Sequence, residues 1–239
     1  MMNDFNSQVY EAEQDGLRAY LAKVFGHMAA ALGITTVVAF LGYRSLITGG
    51  FFYTAFTSFP MLSWILLIAQ FGVVISLSRG ITRYSNTTVR ALMYGYAALT
   101  GVTFSFLPLS FGVYTVFQAF LFAAVLFVCM ALIGHFTKVD LSRFSGLFMG
   151  GLIALLVVSL ISIFVPALRD GLAIGYIGLL LFLGITAWDM QSIRAFYTQA
   201  ASGELSENLA VYGAFELYLD FINIFLYVLR ILGARSSRD

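Results

Sequence analysis

The chain has 239 residues, of which 60% are hydrophobic and 10% charged, whereas about 25% of the residues of a soluble domain are charged. Its mean hydropathy of +0.90 indicates a polytopic protein embedded in a lipid bilayer. The net charge is +1, and lysine and arginine are scattered rather than gathered along one helix, which excludes nucleic acid as a partner. The single cysteine, Cys129, excludes an intrachain disulfide and a cysteine-based metal cluster.

The N-terminal residues 1–16 are polar and acidic, and we expect them to form a mobile tail that contributes nothing to a core. From Leu17 onwards, apolar residues recur at helical spacing. This spacing predicts an amphipathic helix that lies along the membrane surface before the chain turns into the bilayer.

Windows of about 20 apolar residues predict an all-α fold with seven transmembrane helices. The spans are expected at 25–43, 60–79, 88–108, 114–134, 144–165, 172–190 and 209–232. The longest loops, 44–59 and 191–208, show no fold of their own, so these helices form a single domain. The chain is thus divided into an N-terminal cytoplasmic tail with the start of the interfacial helix (1–22), a transmembrane domain (23–232) and a C-terminal tail (233–239).

The distribution of basic residues between the short loops predicts the orientation. With a cytoplasmic N-terminus, the outer loops carry only Arg44 and Arg169, and the inner side carries Arg18, Lys23, Arg79, Arg83, Arg90, Lys138, Arg143 and Arg194. Seven complete spans put the tail residues Arg230, Arg235 and Arg238 outside, against this rule, whereas a re-entrant last helix would return them to the inside. We favour seven spans because 209–232 is long enough to cross. The short loops favour a bacterial inner membrane.

Three acidic residues, Asp189, Glu216 and Asp220, lie within predicted spans. An ionised carboxylate near the bilayer centre costs roughly 2.5 kcal/mol or more, so such residues are functional candidates by default. Asp220 lies near the middle of the last span, and Asp189 lies 31 positions earlier, at the end of the preceding one. A short polar loop makes these two helices antiparallel neighbours. We therefore expect the two aspartates to act together.

Burial and a like-charged neighbour both favour the protonated form of a carboxyl group, so we expect at least one of these acids to be protonated near neutral pH. A shared proton would clamp the sixth span to the seventh, and ionisation would loosen them or offer oxygen ligands to calcium. The alternative is a static protonated clasp between helices. Glu216, four residues before Asp220, either shares its face or reaches towards the interface.

Two further residues are candidate accessories. Arg79, at the inner end of the second span, could reach Asp189 or simply be one of the positive residues of the inner side. Asn223 lies three residues after Asp220 and could hydrogen-bond a neighbouring helix or line a path. No phosphate loop, serine nucleophile motif or zinc motif is present, so we expect no enzymatic activity and no bound cofactor.

Two segments carry a resemblance to a known family. They are Gly-Ile-Thr-Ala-Trp-Asp-Met-Gln at 184–191 and Leu-Tyr-Leu-Asp-Phe-Ile-Asn at 217–223. Together they resemble the signature of the Bax inhibitor (transmembrane Bax inhibitor motif) family, and most closely its bacterial inner-membrane branch. Supporting similarity at 17–28 and 97–101 extends the resemblance over nearly all of 17–233.

The resemblance implies a seven-helix bundle with the last helix at its centre and a pH-sensitive calcium leak. By position, Asp189 and Asp220 would be the two aspartates whose shared proton decides whether the protein is in its closed or its open state. Calcium would be the transported or transiently bound ion. The segment departs from the usual Tyr-Asp-Thr-Gln at Trp188 and Met190, which removes a hydroxyl group beside the acid. Glu216 is not part of the family motif.

Two other functions remain open. Some bacterial members of the family are linked to control of a membrane-bound ATP-dependent protease and others to suppression of cell death, so the chain could be a non-conducting regulator that binds other membrane proteins. An intramembrane aspartyl protease also carries one aspartate on each of two adjacent helices. Its Gly-x-Gly-Asp element is absent, because Leu-Tyr-Leu precedes Asp220.

Overall fold

The computed structural model describes residues 2–165, 172–199 and 204–236, with side chains for 14–162, 165, 172–198 and 205–234. All regular structure within these ranges is helical. The α-helices are α1 Met2–Ile47, α2 Phe51–Ser58, α3 Leu62–Gly80, α4 Asn86–Phe104, α5 Leu107–Phe111, α6 Val113–Phe136, α7 Ser145–Phe164, α8 Leu172–Gln199 and α9 Glu204–Ser236. A 3-10 helix, Leu141–Phe144, precedes α7.

The prediction of an all-α protein with seven transmembrane helices is confirmed. Within the described ranges, seven segments are long and apolar enough to cross a bilayer: Gln14–Ile47, Leu62–Gly80, Asn86–Phe111, Val113–Phe136, Leu141–Ser162, Leu172–Thr198 and Leu205–Ala234. The last of them is the most buried, since 56% of its most apolar window is buried, against 6–33% in the other six. Arg169 and Arg238 lie outside the described residues, as does the side chain of Arg235.

The N-terminal prediction is wrong in two respects. Residues 2–16 are helical rather than an irregular tail, and no turn separates a surface helix from the first span, because α1 is one helix of 46 residues. At 1.5 Å per residue α1 is about 69 Å long, more than twice the hydrocarbon thickness of a bilayer. The polar residues at the start of α1 mark where the helix leaves the apolar layer, but the helix itself continues through them.

Both long loops were also predicted wrongly. The segment 44–59 contains α2, and most of 191–208 is helical because α8 continues to Gln199 and α9 begins at Glu204. Hydropathy windows exclude polar residues such as Gln191 and Arg194, although a helix can continue through them at the membrane surface. Glycines with positive φ end or separate helices at two other places, Gly49 after α1 and Gly112 between α5 and α6.

The described chain divides into two compact units. The first comprises residues 1–106 and 193–216, which include α1–α4, the end of α8 and the start of α9. Here α1 packs closely on α4, since a Cβ atom at Gly101 would lie 2.8 Å from the carbonyl oxygen of Thr35. The Thr35 hydroxyl donates to the Ala97 carbonyl at 2.9 Å, which satisfies a buried polar group at this contact.

The loop between α3 and α4 is fastened to α9 by one amide side chain. Asn208 is 3% exposed, and its Nδ2 donates to the carbonyl oxygens of Ile81 and Tyr84 at 3.1 and 2.9 Å. Its Oδ1 accepts a hydrogen bond from Asn86 Nδ2 at 3.3 Å. Ser85 caps the first turn of α4, accepting from the Thr88 amide. Asn208 thereby fixes the position of this loop.

Asn208→Ala is expected to lower the free energy of unfolding by about 2 kcal/mol, because two loop carbonyl groups lose their donor. The measurement is the midpoint of thermal unfolding in detergent, which should fall by about 4–8 °C for a chain of this size. Ser206→Ala, two residues earlier on α9, is the matched control and should leave the midpoint unchanged. Equal midpoints for the two variants would contradict the assigned role of Asn208.

The second unit comprises residues 107–192 and 217–239, which include α5–α7, most of α8 and the rest of α9. Its core is built from small and aromatic residues on α6 and large ones on α9. Ala119, Ala123 and Phe127 are buried on α6, and Leu217, Tyr218 and Phe221 on α9. The ring of Phe221 makes edge contacts with Phe120 and Phe127, at centroid distances of 5.4 and 5.8 Å. This packing seats the middle of α9 against α6.

Candidate functional site

The two intramembrane aspartates meet in the second unit. The side chains of Asp189 on α8 and Asp220 on α9 lie within hydrogen-bonding reach of each other. Asp220 is 3% exposed, and Asp189 is half-buried. Carboxylate oxygens only accept hydrogen bonds, so a bond between two carboxyl groups requires a proton on at least one of them. The two carboxyl groups can therefore bond to each other only while the pair holds at least one proton.

The surroundings of Asp220 are apolar. Phe221 packs on two rings of α6, and the buried side chains of Leu217 and Ile224 lie one turn before and one turn after Asp220. Such surroundings keep water away, so an electrostatic interaction within the pair is stronger than it would be in solvent. A change in the proton content of the pair would consequently have a large energetic effect on α8 and α9.

The backbone of α8 is held against α6 just before Asp189. A Cβ atom at Gly134 would lie 2.2 Å from the carbonyl oxygen of Ala187 and 2.8 Å from its Cα atom. Only a glycine allows this approach between the two helices. Asp189 follows Ala187 by two residues, so the contact fixes the height and rotation of the aspartate on α8.

Just after Asp189, a glutamine fastens α8 to the connection between α6 and α7. Gln191 Oε1 accepts from the Leu141 amide at 2.9 Å, and Nε2 donates to the Val139 carbonyl at 2.9 Å. Asp140 lies between these two partners and caps the 3-10 helix, accepting hydrogen bonds from the Ser142 amide and hydroxyl. These hydrogen bonds lower the pKa of Asp140 below its ordinary value.

Gln191→Ala is expected to free the connection 137–144 from α8, at a cost of about 1–2 kcal/mol for two lost hydrogen bonds. Hydrogen exchange of the amides of residues 138–144 should become faster than in the unmodified protein. Ser192→Ala is the control, because the Ser192 hydroxyl donates within α8, to the Trp188 carbonyl at 3.0 Å. Unchanged exchange in Gln191→Ala would show that the connection is held by other contacts.

The residues that depart from the family motif are packing residues here. Trp188 lies against Phe148 of α7 at a centroid distance of 5.8 Å, and Met190 is 2% exposed. Neither side chain carries a hydroxyl group that could donate to Asp189. The hydrogen-bonding partner assigned to Asp189 is therefore another acid, Asp220.

The accessory candidates have described contacts of their own. The carboxyl group of Glu216 belongs to the first unit, where it interacts electrostatically with the Tyr20 hydroxyl of α1. Asn223 donates to the Leu219 carbonyl of its own helix at 2.8 Å rather than to a neighbouring helix. Arg79 is exposed in the last turn of α3, in the first unit. No ion pair of Arg79 is found within the described ranges.

The pair supplies too few ligands for a resident calcium ion. Among the described residues, no group of three or more His, Cys, Asp or Glu side chains is arranged to hold a metal. Calcium in proteins takes six to eight oxygen ligands.

Sequence reasoning missed the positioning residues of this site. Gln191 stands in the family segment, but nothing in hydropathy or spacing says which loop its amide will bind. Gly134 likewise has no signal apart from being a glycine in an apolar run, because its partner, Ala187, is 53 residues away.

Comparison with known proteins identifies relatives along most of the chain. A family model described as "Inhibitor of apoptosis-promoting Bax1" matches residues 17–237. An uncharacterized protein of Deinococcus radiodurans is 38% identical over 222 residues, covering 93% of each chain. An uncharacterized protein of Rickettsia prowazekii is 35% identical over 224 residues, which are 93% of this chain and 92% of its own. The inner membrane protein YbhL of Escherichia coli is 35% identical over 222 residues, covering 92% and 93%.

Proposed function

The chain belongs to the Bax inhibitor-1 family of membrane proteins, and on that premise we propose that it is a pH-sensitive calcium leak gated by Asp189 and Asp220. The observation that carries the proposal is the close approach of these two carboxyl groups, which lie within hydrogen-bonding reach inside two transmembrane helices. Intramembrane acids are costly, and a pair that must hold a proton to stay bonded is suited to respond to pH.

In the closed state the pair holds a proton and ties α8 to α9. When the proton is lost, two negative charges face each other in apolar surroundings and repel, which favours separation of the two helices. The freed carboxylate oxygens are hard ligands of the kind that calcium prefers. Calcium then moves down its gradient as cargo, without a resident metal.

The proposed location is a bacterial inner membrane with a cytoplasmic N-terminus. YbhL of Escherichia coli is named an inner membrane protein, and the predicted inner loops carry most of the basic residues. Seven spans would then put the end of α9 on the outer side, including Arg230. Reaction of a cysteine introduced at Ser236 with an impermeant thiol reagent, in whole cells, would test this orientation.

The decisive experiment is calcium flux into liposomes that contain the purified protein, with the pH stepped from about 6 to about 8, a range that perturbed carboxyl groups can reach. Flux should rise with pH. Asp140, whose pKa is lowered by its hydrogen bonds, stays ionised throughout this range and cannot supply the response. If no calcium passes at any pH, the leak is excluded and the protein is better explained as a regulator that binds other membrane proteins.

A further inference from the structure

A shallow cleft with charged residues in its lining lies in the first unit, between α1, α4 and α9. It has a volume of about 380 Å3 and is lined by Lys23, Gly26, His27, Arg90 and Glu207. None of these residues belongs to the aspartate pair, and all five lie in the first unit. Gly26 leaves one wall open, since a Cβ atom there would meet nothing within 4 Å.

The charges in the cleft do not cancel. Glu207 bonds to both cations, accepting from Lys23 Nζ and, at 2.9 Å, from Arg90 Nη2. Two cations and one carboxylate leave a charge of +1 when His27 is neutral. The balancing ligand is therefore an anion with a single negative charge, and a phosphodiester carries one.

Arg90 also has a donor to spare. Its Nε atom is buried and has no hydrogen-bond partner among the described residues, although Nη2 is bonded to Glu207. A buried donor without an acceptor is unfavourable, by about 1–3 kcal/mol. A ligand in the cleft could reach Nε only if the Arg90 side chain moved, so the Nη atoms are the donors that the oxygens of a phosphate group would meet.

His27 is arranged to add a contact. Its Nδ1 atom is 2.6 Å from the hydroxyl group of Tyr94. When that hydroxyl donates to Nδ1, the proton of the neutral imidazole is on Nε2, which becomes a donor. The cleft then offers an ammonium, a guanidinium and an imidazole N–H to one ligand.

The depth of the cleft matches the headgroup layer of a membrane. Arg90 is the fifth residue of the span Asn86–Phe111, and Glu207 is the third residue of the span Leu205–Ala234. At 1.5 Å per residue, these positions are about 6 and 3 Å from the ends of their spans. Lipid phosphates lie at this level, and basic pockets between transmembrane helices are known to bind phospholipid headgroups.

We propose that this cleft binds the phosphodiester group of an anionic membrane phospholipid, held by Arg90 and Lys23, with Glu207 as the internal anion that the lipid displaces. Glu207 pairs with the two cations while the cleft is empty. On binding, the lipid phosphate therefore replaces the Glu207 carboxylate as their partner. Lipid binding at this place would stand whether or not the protein conducts calcium.

The test is native mass spectrometry of the detergent-purified protein at about pH 7.5, titrated with dioleoyl phosphatidylglycerol. Arg90→Gln and Lys23→Gln should each weaken binding about fivefold, the effect expected for one cation at a membrane surface. Arg18→Gln is the matched control, because Arg18 is a 78% exposed residue of α1 that pairs with Asp15 at 3.5 Å, outside the cleft. Equal binding by the protein and by the two cleft variants would overturn the proposal.

A second variant covers the case in which the first two fail to fold. Glu207→Gln keeps both cations and removes their internal anion, so it should bind phosphatidylglycerol about fivefold more tightly. Binding that is unchanged or weaker would overturn the exchange of anions. The same titration is repeated with phosphatidylethanolamine in place of phosphatidylglycerol, and with inorganic phosphate added as a competitor. Displacement of the lipid by millimolar phosphate, or equal affinity for the zwitterionic lipid, would contradict a site for an anionic lipid.

Discussion

Asp220→Asn is expected to abolish the rise of calcium flux between about pH 6 and pH 8, and Asp189→Asn is expected to do the same. Asparagine keeps the size of aspartate and its capacity for hydrogen bonding, but it cannot ionise. As a general scale, two unit charges about 4 Å apart repel by about 4 kcal/mol at an effective dielectric constant of 20. That energy shifts an equilibrium between two states about a thousandfold.

The measurement is calcium entry into liposomes, recorded with an entrapped indicator for each variant at every pH. Asp140→Asn is the matched control, since Asp140 is an exposed acid outside the spans, and its variant should keep the full response. A response that survives in both Asp189→Asn and Asp220→Asn would rule out the pair as the gate. Loss of the response in Asp140→Asn alone would point to the connection between α6 and α7.

Gly134→Leu is expected to be the most damaging single substitution in the second unit. Even a Cβ atom at this position would overlap the backbone of Ala187, so α6 and α8 must separate to admit a side chain. Overpacking typically costs 1–3 kcal/mol, and a leucine against backbone atoms that cannot rotate away should cost about 3 kcal/mol or more. The hydrogen bond between Asp189 and Asp220 should weaken at the same time, because α8 carries Asp189.

The thermal midpoint of Gly134→Leu in detergent should fall by at least about 6 °C, if any folded protein is recovered. Gly150→Leu on α7 is the control, because a Cβ atom at Gly150 meets nothing within 4 Å. Gly150→Leu also replaces a helical glycine by leucine. Because leucine favours the helix more than glycine does, the midpoint of this variant should be unchanged or slightly higher. Equal losses in the two variants would mean that contact of the added side chain with lipid or detergent, and not the approach of α6 to α8, decides the outcome.

The seven spans could be predicted because the bilayer imposes a length and a composition on each helix. The family could be predicted too, because its two segments surround the aspartates, and the match over residues 17–237 confirms it. The true ends of α1 and α8 could not be predicted from hydropathy. A helix continues past the apolar layer wherever its backbone hydrogen bonds are kept, and residues such as Arg18 and Gln191 do not interrupt them.

The site could be predicted only in part. The cost of an intramembrane acid singled out Asp189 and Asp220, and the structure brings their side chains into contact. Their role as a gate stays a prediction. The same argument singled out Glu216, whose described interaction is with Tyr20. Sequence spacing gives the face of a helix, but which helix that face meets depends on packing between segments far apart in the chain.

The division of α9 between the two units has a consequence for biogenesis. Residues 204–216 complete the first unit and residues 217–236 belong to the second, and this helix is the last of the seven to be synthesised. Neither unit can acquire its full core while the earlier helices are leaving the ribosome. Until α9 is inserted, the surfaces it will cover are open to lipid, insertase or chaperone, so the nascent protein is most exposed to quality-control proteolysis just before its last helix enters the membrane.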